Sequence, residues 1–154
     1  MYPLSPAEYS KFMGKRADEL RDRTQRALRK AADQGARLAK QRTQDIDKVD
    51  TGRFANSWRS GDYRDDGAIV WNSSWHAPWA DDGQKPGEMP PLLALARWAE
   101  RRLGVGGAQA WAAARAIAQK ILERGTKGAE VVKWVAKRLG PIAQRELQKE
   151  FDKP

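Results

Sequence analysis

The hydrophobic pattern of the first third of the chain predicts one long amphipathic helix. Ser5, Pro6 and Glu8 have the residue types and spacing of a capped helix start, where serine and glutamate satisfy free backbone N–H groups. Apolar or small residues then recur every three or four positions, at Tyr9, Met13, Ala17, Leu20, Ala27, Leu28, Ala31, Gly35 and Leu38. We expect the helix to reach about Ile46, with a stripe so narrow that it is typical of a helix lying across a neighbour.

The middle of the chain has a different pattern. Asp66-Gly67 lies between two β-capable runs and predicts a hairpin, because glycine accepts the positive φ of a tight turn. Before the hairpin, Asp50 or Thr51 can cap a short helix that ends at about Ser57. After it, residues 73–91 contain four prolines and two glycines, which predicts a loop.

Helical spacing returns from Pro91. It predicts helices over 91–103, 108–124 and 129–151, with a kink or break at Gly140-Pro141. The predicted fold class is therefore α+β, with a long N-terminal helix, a small antiparallel sheet and C-terminal helices. We expect a single domain over 1–154, made of the long helix in 1–48, the hairpin and a Trp-rich loop in 49–90, and a helical part in 91–154.

Composition narrows the possible functions. The 154 residues include no cysteine, which excludes disulfides, a thiolate nucleophile and cysteine-ligated zinc. No apolar run approaches about 18 residues, so we expect neither a signal peptide nor a membrane span. Seven tryptophans are many for so polar a chain, and large rings favour a core or an interface.

The net charge of +9 is unevenly distributed. Residues 1–48 carry 12 Lys and Arg against 7 Asp and Glu, residues 49–90 carry 4 against 7, and residues 91–154 carry 13 against 6. An acidic centre between basic terminal segments would suit identical subunits that dock head to tail. The alternative is a basic nucleic-acid-binding module whose helices follow phosphates, although acidic residues are interspersed along both terminal segments.

Two arrangements resemble catalytic or metal-binding chemistry. His76, Asp81 and Asp82 are possible metal ligands, but a flexible loop offers them little supporting geometry. Asp50-Thr51-Gly52 has the triplet of aspartic proteases, which need two such carboxylates inside a β-rich fold. We therefore expect no catalytic site, no metal and no cofactor.

The tryptophans divide into two predicted groups. We expect Trp71 and Trp98 to anchor the core. For Trp75 and Trp79 we favour a partner interface that also uses Asp81 and Asp82, because the surrounding loop is too polar to bury two rings unaided. The alternative is that this loop folds back over its own hairpin.

Taken in order, these motifs resemble the tail-completion or head–tail joining proteins from the neck of long-tailed bacteriophages. The family's Asp-Thr-Gly-Arg-hydrophobic-x-Asn-Ser stretch is matched by Asp50, Thr51, Gly52, Arg53, Phe54, Ala55, Asn56 and Ser57. Its aromatic-Ala-x-x-acidic-aromatic-Gly loop is matched loosely by 79–83, with Asp81 and Asp82 where the family has glutamate and an aromatic, before Gly83. A later Ile-Ala-x-x-Ile…x-Gly-Thr-x-Gly element is matched by 117–121 and 125–128.

The resemblance implies a structural virion protein that assembles in the host bacterial cytoplasm. It implies a homo-oligomeric ring, with a hexamer favoured, that joins head to tail or completes the tail. The partners it implies are other phage neck and tail proteins, with non-specific contact to DNA passing through the channel and no membrane. It implies no catalysis and no cofactor.

Overall fold

A computed structural model describes residues 5–46, 51–63 and 67–153. Its elements, in chain order, are α1 (Pro6–Asp45), α2 (Arg53–Asn56), β1 (Trp58–Tyr63), β2 (Gly67–Asn72), α3 (Ala77–Asp82), β3 (Gly83–Gln84), α4 (Leu92–Leu103), α5 (Gly107–Arg124), β4 (Thr126–Lys127) and α6 (Val131–Phe151). β1 pairs with β2 in an antiparallel hairpin, and β3 pairs antiparallel with β4. The predicted α+β class, with its long first helix and helical C-terminal part, is confirmed.

The chain divides into two compact units. Unit 1 comprises Met1–Ala39, Trp58–Trp71 and Trp134–Pro154, and unit 2 comprises Lys40–Ser57 and Asn72–Lys133. Both units are therefore built from separate stretches of the sequence. The single domain over 1–154 stays a prediction.

In unit 1, α1 packs with the hairpin and α6. The predicted capping box is present, since the Ser5 backbone N–H and hydroxyl both donate to a Glu8 carboxylate oxygen, at 2.8 and 2.7 Å. The buried apolar residues of this unit are Ala27, Ala31, Ala32, Ala39, Trp58, Val135 and Ile142. Small side chains on α1 bring α6 close enough for Leu139 to lie against Gly35, where an added Cβ would be 2.6 Å from the leucine Cδ2.

Two buried carboxylates tie α6 to α1. Glu150 is 2% exposed, and its Oε1 accepts hydrogen bonds from both the Lys153 and the Lys30 ammonium groups. Those bonds lower the pKa of Glu150 to about 2. Glu146 accepts from the Gln34 amide at 3.0 Å and from Lys149 at 2.7 Å. Buried charge is tolerated here because each carboxylate has hydrogen-bonding partners.

In unit 2, alanines allow α4 and α5 to pack closely. Ala96 and Ala99 of α4, and Ala110, Ala114 and Ala118 of α5, are all at most 3% exposed. The predicted helix limits are confirmed to within about two residues, and α6 continues through Pro141 as one helix rather than two.

Three local predictions were wrong. Residues 73–91 are not all loop, because α3 and β3 lie within them. The residue that caps α2 is Gly52, in the left-handed conformation and without a side-chain hydrogen bond; Thr51 does not cap it, and Asp50 lies outside the described residues. Trp71 is 40% exposed, so it does not anchor the core, and the buried tryptophan is Trp58.

The turn of the predicted hairpin also lies partly outside the described residues. Asp66 is not described, while Gly67 begins β2.

Trp98, the other tryptophan that was predicted to anchor the core, is half-buried on α4.

Candidate partner-binding site

The candidate site is the segment Trp75–Gly83, which we call the aromatic loop. It contains α3, whose start carries Pro78 at a position that favours helix initiation. The helix ends at Asp82, and the next residue, Gly83, has a φ of 85° that a residue with a side chain rarely adopts. A short helix with defined ends therefore replaces the predicted flexible loop.

The two loop tryptophans lie together on the surface. Trp75 is 70% exposed and Trp79 is 52% exposed, and their rings meet edge to face with centroids 5.8 Å apart. His76 makes a similar contact with Trp75 at 5.5 Å, and its ring lies 6.3 Å from that of buried Phe54. The exposed pair is thus connected through His76 to the core of unit 2.

The surroundings of His76 favour its neutral form. Partial burial lowers its pKa, and the positive charge of Arg53 lowers it further. A neutral imidazole is suited to an aromatic cluster, since a charged ring would lose solvation there.

Asp81 and Asp82 are adjacent in sequence but have different environments. Asp82 is exposed, whereas Asp81 is only 7% exposed. An Asp81 carboxylate oxygen accepts the Val131 backbone N–H at 2.6 Å, and both oxygens lie within 3.3 Å of the Val132 nitrogen. Asp81 therefore caps the start of α6, which leaves Asp82 as the acidic residue available to a partner.

Burial raises the pKa of Asp81, despite the two N–H groups that lower it. Water is largely excluded from this carboxylate, and that cost exceeds the gain from the hydrogen bonds. The two effects oppose each other at a helix N-terminus, where a negative charge is otherwise favourable.

The aromatic loop is attached to the segment between α5 and α6 by backbone contacts, which we call the clasp (residues 80–84 with 125–132). The Ala129 and Glu130 N–H groups donate to the carbonyls of Ala80 and Asp81, both at 2.9 Å. The Gln84 N–H donates to the Thr126 hydroxyl at 2.9 Å, next to the β3–β4 pairing. These bonds join two stretches about forty-five residues apart.

Glycines make this close approach of two backbones possible. A Cβ added at Gly83 would be 2.1 Å from the Thr126 carbonyl oxygen. One at Gly125 would be 2.3 Å from the Gln84 oxygen, and one at Gly128 would be 2.1 Å from the Asp81 oxygen. The Gly-containing motif that ends the aromatic loop and the Gly-Thr-x-Gly motif of 125–128 are therefore the two sides of one contact.

The Thr51–Ser57 motif has a separate structural role in unit 2. The Asn56 N–H donates to the Gly52 carbonyl at 2.9 Å and closes the short helix α2. The Ser57 carbonyl accepts the Ser73 N–H at 2.9 Å, and the Asn72 side chain donates to the Phe54 carbonyl at 2.8 Å. Arg53 is exposed, with its charge near His76. The motif thus fixes where the chain leaves α2 and where it returns before the aromatic loop.

The four predicted interface residues, Trp75, Trp79, Asp81 and Asp82, all lie in α3 or within two residues of it. The Val131 and Val132 N–H groups that hold Asp81 were not predicted from the sequence. The signal was present in the two glycine motifs, but their separation in sequence concealed the contact.

In residues 5–46, 51–63 and 67–153, no helix is long and apolar enough to cross a membrane. The same ranges contain no group of three or more His, Asp or Glu side chains arranged to hold a metal ion.

Comparison with known proteins identifies a family. Residues 7–101, more than half of the chain, match the model of the HK97-gp10-like family, described as "Bacteriophage HK97-gp10, putative tail-component". The match includes α1, the hairpin and the aromatic loop, and it ends within α4. No curated protein and no solved structure matches the chain. The chain therefore belongs to the HK97-gp10-like family of bacteriophage tail components, structural proteins of the virion.

Proposed function

We propose that the protein forms a homo-oligomeric ring in the neck of a tailed bacteriophage and there joins head to tail or completes the tail. The observation that carries this proposal is the exposed Trp75–Trp79 pair. Trp79 lies on the short helix α3, which the clasp fixes to the start of α6, and Trp75 lies just before that helix. Exposed aromatic rings on a fixed support are typical of the central residues of protein interfaces. The resemblance favours a ring of six copies on the tail side of the neck.

The proposed partner of the aromatic loop is a basic helix of an adjacent subunit or of a neighbouring neck ring. On α6, Lys133, Lys137 and Arg138 are exposed and lie within two turns. The tryptophans would supply the apolar contact, and Asp82 would fix the position of the helix through its charge. In this arrangement the protein acts by binding, without catalysis or a cofactor.

The first experiment replaces both loop tryptophans in the phage that encodes this chain. We expect Trp75→Ala with Trp79→Ala to leave the melting temperature of the isolated protein almost unchanged, because both rings are at least half exposed. Particles should instead accumulate as filled heads and separate tails, counted by electron microscopy. Trp111→Ala, on α5 and 40% exposed, is the matched control and should still give joined particles.

A large fall in the melting temperature of the double variant would show that the loop belongs to the core of the subunit. Joined particles in normal number would show that the tryptophans are not an interface.

The charged contact is tested separately by reversing each charge. Asp82→Lys and Lys137→Glu should each reduce the number of joined particles, and the two together should restore it.

The alternative function is a basic nucleic-acid-binding module, which the net charge of +9 and the pI of about 10.0 favour. A phosphate-binding protein loses roughly 10³–10⁵ in affinity between 50 and 200 mM salt when it makes several phosphate contacts. Measuring the affinity for duplex DNA across that range separates the two functions. A neck protein that only surrounds passing DNA should bind weakly at every salt concentration.

A further inference from the structure

The first 18 described residues, Ser5 and the start of α1, extend beyond the packed part of unit 1. We call residues 5–22 the arm, and every one of them is exposed. Packing begins at Arg23, whose guanidinium donates to the carbonyls of Glu150 and Lys153 at 3.5 and 3.2 Å. The arm is about 27 Å long at 1.5 Å per residue. Because α1 is one uninterrupted helix, the arm cannot fold back to cover its own side chains.

The arm has an apolar side. Tyr9, Phe12, Met13 and Leu20 are 57, 56, 47 and 42% exposed, and their spacing places them within about 100° of one another around the helix. The same side of α1 continues into Ala27 and Ala31, which are buried in unit 1. The arm thus extends an existing packing surface into solvent.

Unit 1 has a second exposed apolar surface, on the outer face of the hairpin. Side chains alternate along β2, so Ala68 and Val70 line a cleft with α1 and α6 while Ile69 and Trp71 face outward. Ile69 is 38% and Trp71 is 40% exposed. The Trp71 ring lies over Gly61, where an added Cβ would be 3.2 Å from it. We call this surface, formed by Gly61, Ile69 and Trp71, the outer sheet face.

We infer that the apolar side of the arm binds the outer sheet face of a second copy of this chain. A head-to-tail contact of this kind covers both surfaces at once, whereas pairing of two arms would leave every sheet face exposed. It is also the type of contact that a closed ring requires, because each copy both gives and receives an arm.

Charge favours the arm as the part that approaches another copy. The whole chain carries +9, so two copies repel each other. The arm itself is neutral, with Lys11, Lys15, Arg16 and Arg21 balanced by Glu8, Asp18, Glu19 and Asp22. It therefore adds no repulsion when it lies on a basic neighbour.

One such contact is weak by itself. Half-exposed rings and aliphatic side chains on the two surfaces offer on the order of 600 Å² of apolar area in total. Stable interfaces bury at least about 1,200 Å². Each copy in a closed ring makes two of these contacts, so closing the ring stabilises the assembly more than one contact stabilises a pair of copies. Because a single contact is weak, covalent trapping is the appropriate way to detect it.

The absence of cysteine from the chain makes that measurement clean. In a chain that carries both Phe12→Cys and Ile69→Cys, mild oxidation should produce a ladder of covalent oligomers. An equal mixture of the two single variants should produce a covalent dimer. The control combines Asp18→Cys, on the opposite side of the arm, with Ile69→Cys, and should yield about tenfold less product.

A second variant separates folding from association. Adding Met13→Glu to the chain with Phe12→Cys and Ile69→Cys should abolish the ladder, since a charged carboxylate would be buried against an apolar face. It should leave the melting temperature unchanged, because the arm does not pack on its own subunit. A fall in melting temperature would place Met13 in the core and overturn the inference.

The experiment is performed on the concentrated full chain and on assembled tails. The ladder in either sample supports the contact, and its absence from both overturns it. Covalent dimers from Phe12→Cys alone would show that arms pair with each other, which also overturns it. The contact does not depend on the neck function proposed above. A ladder from a chain that never enters tails would overturn only that function. A chain that enters tails but gives the cross-link in neither sample would overturn only the contact.

Discussion

The clasp of unit 2 and the helix–hairpin core of unit 1 differ in which atoms touch. In the clasp, backbone meets backbone, with glycines at Gly83, Gly125 and Gly128 where any Cβ would overlap a carbonyl or an amide. In unit 1, Gly35 faces the ends of two side chains, Leu139 and Val70, beside a cleft of about 110 Å³. Side chains can change rotamer to accept an extra methyl group, whereas a hydrogen-bonded backbone cannot. We therefore expect the clasp to be much the less tolerant of substitution.

The largest effect is expected for Gly83→Ala. The new methyl group would overlap the Thr126 carbonyl oxygen, and alanine would have to adopt a φ of 85°. We expect a loss of about 3–5 kcal/mol in the free energy of unfolding, from steric overlap and backbone strain together. Urea unfolding followed by circular dichroism measures this loss.

Gly87→Ala is the matched control for that substitution. Its φ is 97° but nothing lies within 4 Å of an added Cβ, so only the backbone strain of about 1–2 kcal/mol applies. Equal losses for the two variants would mean that close backbone packing is not what distinguishes the clasp.

The next effect concerns the Asp81 cap of α6. We expect Asp81→Ala to cost about 1–3 kcal/mol, because the buried Val131 N–H and the part-buried Val132 N–H lose their acceptor. Asp81→Asn keeps one acceptor oxygen and should cost less. Asp82→Ala, the exposed neighbour, should change the free energy of unfolding by no more than about 0.5 kcal/mol.

The pH dependence of the Asp81 variants has a definite sign. Because burial raises the pKa of Asp81 in the folded chain, the stability it contributes is present below the ordinary aspartate pKa of about 3.9 and is lost as pH rises through the raised value. Asp81→Asn removes this dependence. As pH rises above about 3.9, the difference in stability between the two chains should therefore shift in favour of the variant. The opposite trend in melting temperature would contradict the assignment.

The accuracy of the predictions made from the sequence also differs between local elements and tertiary contacts. Helices with periodic apolar stripes, such as α1 and α5, were predicted to within about two residues, because their spacing is local information. The clasp was not predicted, since Asp81 and Val131 meet only through tertiary contacts across fifty residues. Trp71 was misplaced because an apolar ring in a strand has the same pattern whether its face is covered or open.

The ion pairs of unit 1 give a second pH dependence, of opposite sign to that of Asp81. Hydrogen bonds from Lys153 and Lys30 lower the pKa of Glu150 to about 2. The stability that Glu150 contributes is thus present above the ordinary glutamate pKa of about 4.3 and is lost as pH falls through the folded value. We expect Glu150→Gln to flatten the fall in melting temperature between about pH 5 and pH 2. Glu123→Gln, on the surface of α5, should leave the steep fall in place.

The smallest effect is expected for Gly35→Ala, and it tests the comparison most directly. The added Cβ would be 2.6 Å from Leu139 Cδ2, which is the far end of a flexible side chain with the cleft beside it. Alanine also favours the helix by about 1 kcal/mol over glycine, which offsets part of the cost of moving the leucine. We therefore expect a net change within about 1 kcal/mol. A loss as large as that of Gly83→Ala in the same urea experiment would show that unit 1 is packed as rigidly as the clasp, and the contrast between the two regions would not hold.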